Sequence, residues 1–157
     1  MAVLSRVIFS FIQFAARNGL APERASAGAP PNLNQRRRTG IRGETFAYWY
    51  LRRHGYTMVA RNFTVSGIKG EIDLIGYDGG VLAFVEVKTR TGDPDRTGLP
   101  EDAVTPDKRR HLSRMARQFL AERRIPEATC RFDVLAIESR PGRRPEVRLH
   151  KGAFADR

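Results

Sequence analysis

The chain is poor in cysteine, poor in acid and without a long apolar run. It has one cysteine, Cys130, in 157 residues. One thiol excludes an intramolecular disulfide and a cysteine-based zinc centre, and it fits a reducing, cytoplasmic location. In its strand context Cys130 is expected to be a small buried side chain. Acidic residues number 17 against 28 Lys and Arg, a formal net charge of +11. That imbalance favours a polyanionic partner, and nucleic acid is the commonest soluble one. The three histidines, His54, His111 and His150, have no ligand-like spacing. No internal repeat is present.

The most apolar stretch is residues 1–20. Val3, Leu4, Val7, Ile8, Phe11, Ile12 and Phe14 are apolar, while Arg6, Ser10, Gln13 and Arg17 share one helical stripe. This amphipathic helix is too short and too interrupted by arginine to span a bilayer. No convincing small-residue cleavage site marks it as a secretory leader. Contact with a membrane surface, or packing on the domain or on a partner, stays open. Residues 21–38 read as a disordered basic linker, broken by Pro22, Gly28, Pro30 and Pro31 and closed by Arg36, Arg37 and Arg38.

The folded domain is expected over residues 39–157. A helix is predicted over 41–54, with Ile41, Glu44, Tyr48 and Leu51 on one stripe and Gly55 as its stop. Strands follow over 56–65, 71–77 and 81–90, with Gly67 and Gly70 flanking the first turn and Asp78-Gly79 forming the second. Residues 91–101 form a Gly/Pro-rich loop. Thr105-Pro106 opens a second helix with Leu112, Met115, Ala116, Phe119 and Leu120 on its apolar face. Strands over 131–138 and 146–150 complete an α/β fold, one mixed sheet flanked by helices.

The chemistry-bearing segment is the hairpin Gly70 to Arg90. With Asp78-Gly79 as a two-residue turn, Ile75 faces Leu82, Asp73 faces Phe84 and Glu71 faces Glu86. Alternation then puts Glu71, Asp73, Glu86 and Lys88 on one face, with Asp73 and Glu86 as diagonal neighbours. Two carboxylates converging there suit magnesium or manganese. A solvent-exposed salt-bridge network at a sheet edge is the simpler explanation. Glu44 weighs against it, because a lone carboxylate on the sheet-facing stripe of a helix is costly unless a cation lies nearby.

The pattern resembles the PD-(D/E)XK nuclease superfamily: Glu44 in a first helix, Asp73 in a strand, Glu86-Val87-Lys88 in the next. By layout it is similar to archaeal Holliday-junction resolvases, and more closely to the YraN family of small bacterial proteins. The resemblance spans about residues 39–154 and is carried above all by Gly70-Glu71-Ile72-Asp73-Leu74-Ile75 and Phe84-Val85-Glu86-Val87-Lys88-Thr89-Arg90. It departs at Thr64, where a basic residue is common, and at Ile72, where the superfamily often has proline. The resemblance implies a restriction-endonuclease-like fold and a magnesium- or manganese-dependent site. Asp73, Glu86 and the Val87 carbonyl would ligate the metal, and Lys88 would orient or activate the attacking water and stabilise phosphate charge. Glu44 would complete the acidic site, and the products would carry a 5′-phosphate and a 3′-hydroxyl. A homodimer is expected by analogy with the resolvases.

Arg61, Lys69, Arg90, Lys108 and Arg109 are candidate phosphate contacts, with ordinary surface charge as the alternative for each. Tyr48, Trp49 and Tyr50 could stack bases, although core packing suits Tyr48 better. Asp133, flanked by apolar residues, is expected to be structural, paired with an arginine, with a place at the border of the site as the alternative. Three functions follow: an endonuclease acting on DNA, with branched DNA among its candidate substrates; a non-cleaving nucleic-acid-binding module; or docking to a membrane or partner through the N-terminal helix.

Overall fold

The computed structural model describes residues 33–91, 104–125, 128–140 and 142–154. The expected helix over 1–20 lies outside them. The described chain forms α1 (Leu33–Arg53), β1 (Tyr56–Val65), β2 (Ile68–Asp78), β3 (Val81–Thr91), α2 (Pro106–Glu122), β4 (Cys130–Ser139) and β5 (Glu146–Phe154). The five strands make one sheet in the order β1-β2-β3-β4-β5. Only β3 and β4 pair in parallel, and α2 lies in the connection between them. This is the mixed α/β sheet that the order of elements predicts.

Helix α1 begins at Leu33, eight residues before the expected start. The arginine run read as linker is therefore helical, in keeping with the high intrinsic helix propensity of arginine. The buried stripe of α1 is Gly43, Ala47 and Leu51, and Glu44 and Tyr48 of the expected stripe are only half-buried. Ala47 and Leu51 are fully buried, with Phe46 beside them. Small residues win this face because the helix lies close to β3. A Cβ added at Gly43 would stand 1.9 Å from Thr89 Oγ1.

The sheet is covered on both faces. On one side Phe46, Ala47 and Leu51 pack on Leu74, Ala83, Val85, Leu135 and Ile137. On the other, Leu112, Met115, Ala116 and Phe119 of α2 pack on Ile72, Ile75, Leu82, Phe84, Phe132 and Val134. A strand buried on both faces is apolar at successive positions, which explains the run Leu82 to Val85. Thr105 caps α2, accepting a hydrogen bond from the Lys108 backbone N–H, and proline follows at its start.

Two turns differ from the sequence reading. The first hairpin closes at Val65 and Ile68, so the turn is Ser66-Gly67 and Gly70 lies within β2. The second closes at Asp78 and Val81, so its loop is Gly79-Gly80, with Gly79 at φ +61°. Cys130 is exposed, contrary to expectation, because it opens β4 at the start of the strand.

At the turn end of the sheet Asp133 is fully buried. It accepts hydrogen bonds from Arg131 Nε (2.9 Å), the Tyr56 hydroxyl (3.1 Å) and the Gly152 N–H (2.9 Å). Arg131 also pairs with Asp78, which accepts a bond from Lys151 Nζ at 2.6 Å. Asp133 thus has the structural arginine partner expected of it. Burial, and next the Asp133 charge, push the Tyr56 hydroxyl well above its ordinary range, so it stays a donor.

Candidate active site

The turn shift moves the β2–β3 register by two residues. Ile75 pairs with Phe84 and Leu74 with Val85. The expected pairing of Ile75 with Leu82, and of Glu71 with Glu86, is therefore corrected. Continuing the observed count sets Asp73 level with Glu86 instead of diagonal to it. The slip has even parity, so by itself it does not move Asp73 off the face of Glu86 and Lys88, as an odd slip would.

The regular ladder stops at Leu74–Val85, and a side chain takes over. Asp73 Oδ2 accepts a hydrogen bond from the Val87 backbone N–H at 2.7 Å. Alternation also breaks here: Ile72 and Ile75 join the α2-side cluster, while Leu74 joins the α1-side cluster. The Asp73 carboxylate thus stands where β2 departs from regular pairing.

Glu86 is 5% exposed. Its Oε1 accepts a bond from Lys88 Nζ at 2.8 Å. Lys108 Nζ, from the first turn of α2, lies 3.3 Å from Oε2. That contact is an ion pair without hydrogen-bond geometry, since buried Oε2 has no hydrogen-bond partner. A buried carboxylate oxygen with an unused lone pair is costly without a cation.

Asp73 carries the electrostatic strain of the site. Its carboxyl is pushed up to about 7, first by burial and then by the Glu86 charge. Glu44 adds to the rise, and the Val87 N–H and Lys108 oppose it. Two buried carboxylates this close repel each other when both are charged, so one of them holds its proton more tightly.

Glu44 faces this group from α1, with its Oε2 held by Asn62 Nδ2 at 2.8 Å. Asn62 lies in β1 at φ +46°, beside a register shift between Phe63 and Val65. Asparagine tolerates that backbone better than most residues, and the irregularity re-aims its side chain. Nothing in the sequence pattern gives Asn62 a role. Among the described residues, no three Asp, Glu, His or Cys side chains converge tightly enough to hold an ion by themselves. Asp73 and Glu86 are the inner pair, and Glu44 acts on them through its charge.

The candidate phosphate contacts separate. Lys108 belongs to the acidic group itself. Arg109 donates to the Val104 carbonyl at 3.0 Å and lies over the Phe154 ring, so it ties α2 to the sheet. Arg61 lies 4.9 Å over the Tyr48 ring and reaches Thr45 Oγ1 at 3.5 Å, next to Asn62. Arg52 also lies over Tyr48 and Trp49. Lys69 is exposed and Arg90 half-buried. Gly70 comes within close contact of His111: a Cβ there would stand 2.8 Å from His111 Nε2. So α2 presents both Lys108 and His111 to the site end of the sheet, which histidine spacing alone could not reveal.

Comparison with known proteins bears on the whole described domain. Residues 43–137 match the family model described as "Uncharacterised protein family UPF0102". A UPF0102 protein of Koribacter versatilis is 43% identical over 148 residues, covering 92% of this chain and 94% of the relative. One of Symbiobacterium thermophilum is 48% identical over 118 residues, covering 75% of this chain and 97% of the relative. One of Chlorobaculum parvum is 42% identical over 120 residues, covering 73% and 90%.

Proposed function

The chain belongs to the UPF0102 family, the YraN family of the sequence resemblance, and on that footing we propose that it is a divalent-metal-dependent endonuclease acting on DNA. The observation that carries this reading is the buried Glu86 Oε2, without a hydrogen bond beside the raised Asp73 carboxyl. Those residues fit a hard divalent cation. Magnesium keeps several waters and needs only one or two protein carboxylates, so Asp73 and Glu86 suffice, with the Val87 carbonyl as a further donor. Bound there, the ion supplies Lewis acidity at a phosphoryl oxygen.

The remaining groups have separable tasks. The Val87 N–H fixes the Asp73 carboxylate, so its orientation is set by the sheet. Lys88 is 30% exposed in its side chain, reachable by a phosphodiester while anchored to Glu86. Its ammonium can orient an attacking water and neutralise charge building on the phosphate. Glu44, steadied by Asn62, adds negative charge that favours the cation. The net charge of +11 supports a polyanionic substrate.

The test is a cleavage panel with Mg²⁺ and Mn²⁺ over linear, single-stranded, flap and four-way DNA. Cleavage by the parent should fall at least 100-fold in Asp73→Asn and Lys88→Ala, in line with loss of a charge-stabilising group. Cleavage that persists unchanged in both variants assigns the activity elsewhere. A parent that binds DNA with steep salt dependence but never cleaves is a binding module.

A further inference from the structure

Glu86 is held between two lysines on different elements. Lys88 comes from the same strand, two residues on, and bonds Oε1 at 2.8 Å. Lys108 comes from α2 and faces Oε2 at 3.3 Å. The two contacts differ in kind. The first is a hydrogen-bonded ion pair, whereas the second leaves Oε2 without a hydrogen bond.

We propose that Lys108 is a placeholder cation: its ammonium neutralises the Asp73–Glu86 pair until a divalent ion displaces it, and it then turns to the DNA backbone. This deepens the metal-dependent reading above and rests on it. An ammonium and a divalent ion cannot both sit against one carboxylate oxygen without strong like-charge repulsion. Of the two lysines, Lys108 is the one able to leave, because no hydrogen bond holds it to Oε2. Its side chain is one-third exposed, so solvent is open to it. It also lies in the first turn of a 17-residue helix, where the helix dipole favours a phosphate beside it. Lys108 is thus a positioning residue toward the metal and a phosphate contact after exchange.

The experiment uses the purified full chain without DNA and titrates Mn²⁺ by calorimetry. Removing a competing cation should tighten Mn²⁺ binding, and we expect about tenfold in Lys108→Met. Lys108→Arg should stay close to the parent. Arg114→Met, an exposed cation on the same helix, should change Mn²⁺ affinity less than twofold. DNA binding in Ca²⁺ should weaken in Lys108→Met, with the salt slope reduced by about one. Unchanged or weaker Mn²⁺ binding by Lys108→Met overturns the proposal. Equal tightening by Arg114→Met also overturns it, because the effect is then only the overall field. If the parent binds Mn²⁺ through Asp73 and Glu86 while Lys108→Met matches it, only the placeholder fails. If the parent binds no Mn²⁺, the metal-dependent reading fails with it.

Discussion

The Asp73 carboxylate replaces a rung of the sheet: its Oδ2 accepts the Val87 N–H at 2.7 Å, just past the last regular β2–β3 pair. One hydrogen bond therefore fixes two things. It aims the carboxylate at Glu86, and it holds the segment carrying Glu86 and Lys88 against β2. The placement of the acidic group is built into the backbone of the hairpin and not left to side-chain rotamers.

Asp73 sets a pH dependence. Its pKa in the folded protein is raised to about 7, above the ordinary value of 3.8. Between those values the folded state holds a proton that the unfolded state has lost. Stability should therefore fall as pH rises from about 4 to 7, then level off. Asp73→Asn removes the ionisable group and keeps an acceptor for the Val87 N–H. We expect a flatter profile and at least about 1 kcal/mol more stability than the parent at pH 8, from linkage. Mn²⁺ should stabilise the parent more at pH 8 than at pH 5.5, since ligation requires the carboxylate. Urea unfolding at both pH values measures all three. Parallel profiles for parent and variant would defeat the assignment.

Gly43 sets how closely α1 approaches β3. Any side chain there meets Thr89 Oγ1. Gly43→Ala gains helix propensity of about 1 kcal/mol, but a clash in a packed contact costs about 1–3 kcal/mol. We expect net destabilisation, with rescue by Thr89→Ala in the double variant. Thermal unfolding of the two single variants and the double decides it. Additive effects without rescue would mean that the two residues do not compete for space.

Asp133 ties β4 to Tyr56 at the start of β1 and to Gly152 of β5. Asp133→Ala leaves the Tyr56 hydroxyl, the Gly152 N–H and part of the Arg131 guanidinium without their acceptor. Removing one member of a buried charged network typically costs about 3–5 kcal/mol. Tyr56→Phe removes one hydrogen bond and should cost about 1 kcal/mol. Denaturant titration is the measurement, and a loss below 1 kcal/mol for Asp133→Ala would contradict the network.

The elements were legible because each has a local cause. Thr105-Pro106 marks a helix start by cap chemistry, and the apolar run Leu82 to Val85 marks a strand covered on both sides. Asp73, Glu86 and Lys88 were legible together because side chains alternate along a strand, and an even register shift preserves alternation. The turn itself was misplaced: Asp78-Gly79 and Gly79-Gly80 are both plausible two-residue loops, and only the pairing of Asp78 with Val81 distinguishes them. The burial of Cys130 was misjudged for a similar reason, since strand identity does not say where a strand enters the sheet.

By itself, then, the sequence determined the class of fold, the strands that carry Asp73, Glu86 and Lys88, and the family, because these depend on local periodicity and short motifs. Tertiary structure alone decided three matters. It moved the β2–β3 pairing by two residues and set the Asp73 carboxylate on the Val87 N–H. It brought Asn62 to Glu44 across a bent β1. It set Lys108, twenty-two residues beyond Glu86, against a buried carboxylate oxygen that has no hydrogen bond. Such contacts join residues far apart in the chain, and their geometry comes from how the helices pack on the sheet, which no local pattern encodes.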